Sequence, residues 1–328
     1  MDEMIKLSVI TVNYRAWIPL ERCLNSLAEL NPESFKLEVI IVDNYSNDGK
    51  LDRFIEKYPD FTFIRSEGNY GFSYGNNLGA RQASGDILLF LNSDTIVTLE
   101  PIETMLNLAS QNPQYGIVSA QQMDLNGKAE NPFGIYPSFW TINSIIKSLY
   151  GLFSGKKSKI SCDEAKVIFP EWVSGSLIMI SRETFAQVNG WDEDYWLYSE
   201  DADLCKKVID SGKVVALQCH PSITHEHGGT TRRTMRLTAF YKAMVIVSLH
   251  IYFRKHYSGV RHFLIQGFLI LNTIILENLI PAILGLILFP VGNARKYFLI
   301  YLNMLRYYSI SAISGSWLID IKKVKLPE

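Results

Sequence analysis

With 328 residues, 48% of them hydrophobic, the chain is too long for one small module and long enough for two subdomains, or for one large α/β domain with an appendage. Lys and Arg total 32 against 33 Asp and Glu, and the net charge of -1 excludes nucleic acid as a partner held by bulk phosphate neutralisation. Cys23, Cys162, Cys205 and Cys219 form no Cys-x-x-Cys pair and no zinc spacing, which predicts reduced thiols in a cytosolic protein; the N-terminal MDEMIKLSVITV has neither a basic region nor a small-residue cleavage site, so secretion is not expected.

The first predicted elements alternate. Apolar runs LSVITV at 7–12 and LEVIIVD at 37–43 flank a stretch at 17–30 where Leu20, Leu24 and Leu27 recur at helical spacing, giving a β-α-β unit. A short strand at 61–65, a helix over about 73–84 and a strand at 86–91 continue the pattern. This order predicts an α/β fold with a mostly parallel, doubly wound sheet, its strands apolar throughout because both faces are covered. Over about 121–169, Gly, Pro, Asn and Lys break the pattern around the aromatic stretch NPFGIYPSFW, and a long loop region is expected. Order resumes with EWVSGSLIMISRETF, a strand and a helix. A helix at about 200–211 follows, between Ser199 as N-cap and Gly212 as stop, then the strand KVVAL.

The last third changes character. Residues 263–291 carry one formal charge, Glu277, over more than the roughly 20 residues a membrane helix needs. Arg254, Lys255 and Arg261 precede this segment and Arg295 and Lys296 follow it, so a single span would leave one basic cluster outside. Glu277, Asn278 and Pro281 interrupt its middle. A re-entrant hairpin or a surface-embedded helix pair, with both ends cytosolic, is expected in preference to a buried helical core or a dimer interface. Three regions result: 1–125, 126–235 and 236–328.

In an open parallel sheet, ligands bind at the carboxyl ends of the strands. Three predicted strands end there in polar residues: Asn13, then Asp43 and Asn44, then Asn92 to Asp94 in GDILLFLNSDT. A single such ending is an ordinary turn or cap, whereas three at one edge suggest a site. An ionised Asp43 is a pure acceptor, suited to a nucleobase N–H or a ribose hydroxyl. Asp94 suits a hard divalent cation bridging a diphosphate.

The segment GNYGFSYGNNLGARQASG matches neither a dinucleotide nor a Walker pattern. Its Asn76, Asn77 and Arg81 can meet a phosphate-bearing ligand, and its glycines are explained equally well by tight packing. On the helix at 200–211, Asp201, Leu204, Cys205 and Val208 share one face, while Asp203, Lys207 and Asp210 share another. Asp201 thus turns toward the core or a cleft, where it can serve as a general base, and Asp203 can pair with Lys207. His225 and His227 flank Glu226 before a Gly-Gly turn and can complete a metal site begun by Asp94. Arg232, Arg233 and Arg236 form a basic cluster suited to a diphosphate or anionic lipid, or simply to solvent.

Taken in order over about 7–231, the segments VITVNYR, VIIVDNYSNDG, NYGFSYGNNLGARQASGDILLFLNSDT, WVSGSLIMISRETFAQVNGWDEDYWLYSEDADLC and HEHGG resemble the inverting family-2 glycosyltransferases, and within them the bacterial rhamnosyltransferase-like group. The resemblance implies the A-type nucleotide-sugar fold. Region 1–125 would be its nucleotide-sugar-binding half, 126–235 its acceptor-binding and catalytic half, and 236–328 a helical, membrane-associated region. It implies Asp201 as catalytic base, and Asn13, Asp43, Asn44, Asn76, Arg81 and Asn92 on the donor. Asp94 with His225 or His227 would hold Mg²⁺ or Mn²⁺, and Trp172, Gly175 and Glu200 would lie on the acceptor side. Asn92 stands where the wider family has the first Asp of an acidic pair, which leaves Asp94 as the principal carboxylate ligand, and Trp191 stands where Phe is usual.

The reaction so implied moves a sugar, from dTDP-L-rhamnose or a UDP donor, onto a lipid-linked saccharide in bacterial surface polysaccharide synthesis. It would take place at the cytoplasmic membrane surface, with the chain peripheral and monotopic or re-entrant through residues 263–319 and the aromatic loop at 132–155 meeting acceptor or bilayer. A sugar nucleotidyltransferase, or a non-catalytic membrane-bound nucleotide-sugar-binding subunit, would share the nucleotide-binding sheet.

Overall fold

The computed structural model describes residues 4–143, 146, 148, 162, 166–226, 234–288 and 291–314. Its first elements are β1 (Lys6–Asn13), α1 (Trp17–Ala28), β2 (Lys36–Asp43), α2 (Leu51–Lys57), β3 (Thr62–Arg65), α3 (Phe72–Gln82) and β4 (Ile87–Leu91); all keep close to the expected bounds except α2, a helix the sequence pattern does not predict. There follow β5 (Thr95–Ile96), α4 (Leu99–Gln111), β6 (Tyr115–Met123), β7 (Phe133–Gly134), α5 (Phe139–Ile142), β8 (Val167–Ile168), β9 (Trp172–Val173), β10 (Leu177–Ser181), α6 (Arg182–Gln187), α7 (Glu200–Asp210) and β11 (Val214–His225). Segment 121–169, expected as loop, thus holds the end of β6 and three short elements, while 149–161 lies outside the described residues.

The main sheet runs β3-β2-β1-β4-β10-β6-β11-β5, with β8 beside β11; β7 and β9 form a separate pair. β3, β2, β1 and β4 are parallel, as are β6 and β11. β10 is antiparallel to both neighbours, setting Met179 opposite Leu89 on β4 and Val118 on β6. Because side chains alternate along a strand, Val9, Leu89 and Met179 fall on one face with Leu20, Leu24 and Leu27 of α1, while Ile10, Phe90 and Ile178 fall on the other with Leu204 and Val208 of α7. Both faces are therefore covered, and each fully buried leucine contributes about 1.5–3 kcal/mol of transfer free energy.

The glycine-rich segment has a packing role. A Cβ on Gly75 would stand 2.8 Å from Val12 Cγ1, and one on Gly79 would stand 2.5 Å from Ile10 Cγ2. Glycine lets α3 lie directly on β1.

α7 ends as expected at Gly212, whose φ of 88° is in the left-handed region and whose N–H donates to the Ile209 carbonyl. Its start differs. Ser199 has φ 64° rather than the extended backbone of an ordinary N-cap, and Tyr198 before it has φ 75°. Asp203 pairs with Lys207 at 3.4 Å, but from a buried position rather than a solvated face. β11 continues well past residue 217, because a register irregularity between Gln218 and Ile223 absorbs Pro221 and returns the strand to β6. One expectation fails outright: Cys162 and Cys219 form a disulfide, leaving only Cys23 and Cys205 as buried free thiols.

Contacts divide the chain into two compact units. The first comprises Met1–Tyr136, Ile160–Glu193 and Glu200–Thr231; the second comprises Pro137–Lys159, Asp194–Ser199 and Arg232–Glu328. Within the second, α8 (Met235–His256) is followed by α9 (Gly259–Leu271), a π turn (Asn272–Leu276), α10 (Leu279–Ile287) and α11 (Gly292–Ser314). Gly259–Ile287 is long and apolar enough to cross a membrane, with mean hydropathy 1.9. The expected interruption takes the form of the π turn, where Asn278 Nδ2 donates to the Thr273 carbonyl. Polarity is inverted here. Phe263, Leu264, Ile280 and Ile287 are exposed, whereas His250 is fully buried, with its Nε2 2.9 Å from the Tyr308 hydroxyl and its carbonyl accepting from Gln266.

Candidate active site

At the carboxyl ends of β1 and β2, the chain leaves the sheet through three non-glycine residues with positive φ, Arg15 at 53°, Tyr45 at 65° and Asn47 at 46°. Such strain persists where surrounding structure holds it, and it clusters at functional sites. Asn13 Oδ1 accepts the Ala16 N–H, and Asp43 accepts the Ser46 N–H and hydroxyl. Burial pushes the Asp43 carboxyl up, while the two Ser46 bonds pull it down. Asn44 is turned inward, its Nδ2 donating to Asn69 Oδ1 and to the Gly71 carbonyl. These three residues meet because β1 and β2 are parallel and in register, Asn13 beside Asp43.

The expected contributors from α3 are engaged elsewhere. Asn76 Nδ2 donates to the Phe72 carbonyl one turn back, and Arg81 lies 3.8 Å from Glu193. Asn77 grips the backbone of Trp191 at both its N–H and its carbonyl.

A second group gathers around a cleft of about 300 Å³ lined by Gln122, Glu130, Asn131, Pro132, Trp172, Ser174, Asp201 and His225. Asp201 stands in the first turn of α7, and its face carries Leu204, Cys205 and Val208 into the core, which aims the carboxylate inward. Its Oδ2 accepts the Gly175 N–H at 3.2 Å and its Oδ1 the Ala202 N–H at 2.8 Å. A Cβ at Gly175 would crowd Phe72 at 3.3 Å and touch Asp201 and Trp191 at 3.6 Å. Trp172 Nε1 donates to the Ile135 carbonyl, which holds the indole at the cleft wall. Beside Asp201, Glu200 is only 6% exposed, and among the described residues its Oε2 has no hydrogen-bond partner. Burial raises both carboxyls, Glu200 well above the usual range with help from the Asp201 charge. Of the two, Glu200 is raised further, and an Asp201 raised by burial is a stronger base than an exposed aspartate.

The third element is the turn after β4. Asn92 N–H donates to the Ser176 carbonyl, and the Asp94 carbonyl accepts the Glu226 N–H. β11 runs antiparallel to β5 with His225 opposite Thr95, which sets His225 Nε2 3.2 Å from Asp94 Oδ1. The other imidazole nitrogen, Nδ1, lies 3.7 Å from Glu130 Oε2. Arg22 on α1 closes the arrangement with a two-pronged ion pair to Glu226. His227, Arg232 and Arg233 lie outside the described residues. Among the described residues, no group of three or more His, Cys, Asp or Glu is arranged to hold a metal. Asp94 and His225 still offer a hard oxygen and an imidazole nitrogen at one point, a donor set compatible with a divalent cation completed by ligand oxygens.

Glu130, Gln122 and Ser174 carry no sequence signal of their own. They reach the cleft through strand register and a turn rather than through a motif.

A cleft with a basic carboxylate and a carboxylate-imidazole pair, at the strand ends of a mostly parallel sheet, is the setting in which the family comparison decides. The family model "Glycosyl transferase family 2" matches residues 8–168, and "N-terminal domain of galactosyltransferase" matches 157–228. The chain belongs to the family-2 glycosyltransferases. As a glycosyltransferase of hexosyltransferase type, it is 26% identical over 275 residues to the N-acetylglucosaminyl-diphospho-decaprenol L-rhamnosyltransferase of Mycobacterium tuberculosis, across 77% of this chain and 85% of that protein. It is likewise 26% identical over 193 residues to the rhamnosyltransferase WbbL of Escherichia coli, across 57% and 71%. The glycosyltransferase shares its fold with the mannosyltransferase PcManGT from Pyrobaculum calidifontis in complex with GDP-Man and Mn²⁺, at a TM-score of 0.53 and 16% identity, over 96% of this chain and 77% of that one. It spans 48% and 41% of two longer solved structures of this fold.

Proposed function

We propose that the enzyme transfers a sugar, with inversion, from dTDP-L-rhamnose or a UDP-sugar to a lipid-linked saccharide at the cytoplasmic membrane surface, in the assembly of a bacterial surface polysaccharide. The observation that carries the reading is the shared cleft: Asp201, half-buried with its carboxyl raised, and His225, paired to Asp94, line one cavity. Asp201 takes the proton of an acceptor hydroxyl, and that oxygen attacks the anomeric carbon from the face opposite the diphosphate. The bond to the diphosphate breaks and its electron pair leaves with the nucleoside diphosphate. A divalent cation, Mg²⁺ or Mn²⁺, supplies charge neutralisation for that leaving group when bound, with Asp94 and His225 as its protein ligands. Asp43, with Asn13 and Asn44, serves the nucleoside, and Trp172, Gly175 and Glu200 shape the acceptor side.

Two observations support the lipid part. The M. tuberculosis relative's name specifies a decaprenol-linked acceptor, and the exposed apolar residues of Gly259–Ile287 suit the interfacial zone of a bilayer. An enzyme held at the membrane meets a membrane-held acceptor at high local concentration.

The test is thermal unfolding of the full chain against a panel of nucleotide-sugars with and without Mn²⁺. A donor present at 100 times its Kd adds about 2.7 kcal/mol of stability. Stabilisation by a thymidine or uridine donor, enlarged by Mn²⁺, is expected; the absence of any shift with every such donor would overturn the proposal.

A further inference from the structure

β6 ends at Met123, and the chain reverses immediately. Asp124 Oδ1 accepts the N–H groups of Asn126 at 2.8 Å and Lys128 at 2.9 Å, and Gly127 supplies the left-handed φ of 74° that the turn requires. The return places Ala129 against Met123 in an antiparallel bridge. Glu130 is then held at both backbone groups: its N–H donates to the Gln122 carbonyl at 2.9 Å, and its carbonyl accepts from Gln121 Nε2 at 2.6 Å. β11 registers on the same stretch of β6, with Ile223 beside Gln122 and Thr224 beside Met123. One short piece of β6 therefore fixes the positions of both Glu130 and His225.

His225 is 5% exposed and has a carboxylate at each ring nitrogen, Asp94 at Nε2 and Glu130 at Nδ1. A neutral imidazole carries one N–H and one lone pair, so the proton can serve only one of the two carboxylates. A cation shared with Asp94 needs the lone pair on Nε2, which leaves the proton on Nδ1, facing Glu130. At 3.7 Å, Glu130 stands just outside hydrogen-bonding range, on a backbone already pinned at both sides. Carboxylates placed behind a ligating histidine set its tautomer and ring orientation.

We infer that Glu130 is the positioning residue for His225: its carboxylate, 3.7 Å from Nδ1, favours the proton on that nitrogen and so leaves the Nε2 lone pair, beside Asp94, for the divalent cation. This rests on the proposed reading of Asp94 and His225 as the cation ligands, and the test separates the two.

Mn²⁺ alone is titrated into the full chain and free Mn²⁺ is followed by electron paramagnetic resonance, for wild type, Glu130→Gln, His225→Ala and the double variant. The metal-free Tm is measured for each. Glu130→Gln is expected to bind Mn²⁺ 10- to 100-fold more weakly, with its metal-free Tm unchanged. In the double variant, Glu130→Gln is expected to add no further loss to that of His225→Ala, because Glu130 acts through the imidazole. Wild-type affinity in Glu130→Gln, or losses that add in the double variant, would overturn the inference while leaving the cation site in place. Absence of Mn²⁺ binding by wild type, or indifference to His225→Ala, would overturn the cation reading and the inference with it. If Glu130→Gln lowers the metal-free Tm, Glu130→Asp takes its place, and it must retain more Mn²⁺ affinity than Glu130→Ala.

Discussion

Replacing Asp201 by Asn sets two effects of different size against each other. The carboxylate accepts two backbone N–H groups, from Gly175 and Ala202, and an asparagine has only one acceptor oxygen, so one of those donors must face an amide NH₂. The lost charge-assisted bond costs about 1.5–3 kcal/mol. Removing a half-buried negative charge beside Glu200 offsets part of this, and a net change of about 1 kcal/mol corresponds to about 2–4 °C in Tm for a domain of 150–250 residues. A missing general base slows the chemical step by about 10²–10⁴-fold, equivalent to about 2.7–5.5 kcal/mol. Transfer rate at saturating donor should therefore collapse while Tm moves by a few degrees and donor-induced stabilisation survives. Asp203→Asn is the control: it breaks the buried pair with Lys207, and should lower Tm without a comparable loss of rate per folded molecule. If Asp201→Asn keeps kcat within tenfold of wild type, the assignment of the base is wrong.

Glu200→Gln should alter the response to pH. The folded-state pKa of Glu200 is raised by burial and by Asp201, so its favourable contribution is complete below the unfolded pKa and is lost as pH rises through the folded one. The variant should match wild type in Tm near pH 4 and gain on it progressively at higher pH; a constant difference across the range would count against a buried, proton-holding Glu200. Arg22→Ala leaves the Glu226 side chain, 6% exposed, without its cation; a loss of about 1–3 kcal/mol is expected in thermal unfolding, largely recovered in Arg22→Ala/Glu226→Gln, and an unchanged Tm in the single variant would show that the pair is dispensable. Phe263→Glu, at a position 74% exposed, should reduce co-sedimentation with phosphatidylethanolamine–phosphatidylglycerol vesicles while leaving Tm unaltered, and full retention of vesicle binding would contradict a bilayer-facing α9.

Legibility in the sequence followed from how local the determining physics is. β1 to β4 and α1 were readable because each announces itself by an apolar run or by leucines at helical spacing, as Leu20, Leu24 and Leu27 do, whereas the short α2 carries no such pattern. Asp201 was readable as inward-facing because Leu204, Cys205 and Val208 fix the helix face. Asp203 was readable only in part: its partner Lys207 follows from spacing, but its burial depends on what packs above it. β11 was cut short in the sequence because Pro221 and Ser222 resemble a strand's end, and only the partner strand β6 shows that pairing resumes at Ile223. Glu130 was invisible, since nothing in GKAENP distinguishes a cleft carboxylate from a solvated one. The Cys162–Cys219 pairing belongs to the same class, since the two residues carry no spacing signal.

The placement of β10 bears on how the chain can be divided. This strand enters the sheet between β4 and β6, with Leu177 set against Leu91 and Met179 against Val118, although β4 and β6 both precede it in synthesis. A shortened chain ending near residue 168, where the principal family match stops, would expose two apolar strand edges in the middle of the sheet, not at its rim. Unpaired edges of that kind invite intermolecular pairing. Such a fragment is expected to be recovered as aggregate, whatever nucleotide-contacting residues it retains, and during translation the nascent sheet must wait for residues 177–181 before its centre can close.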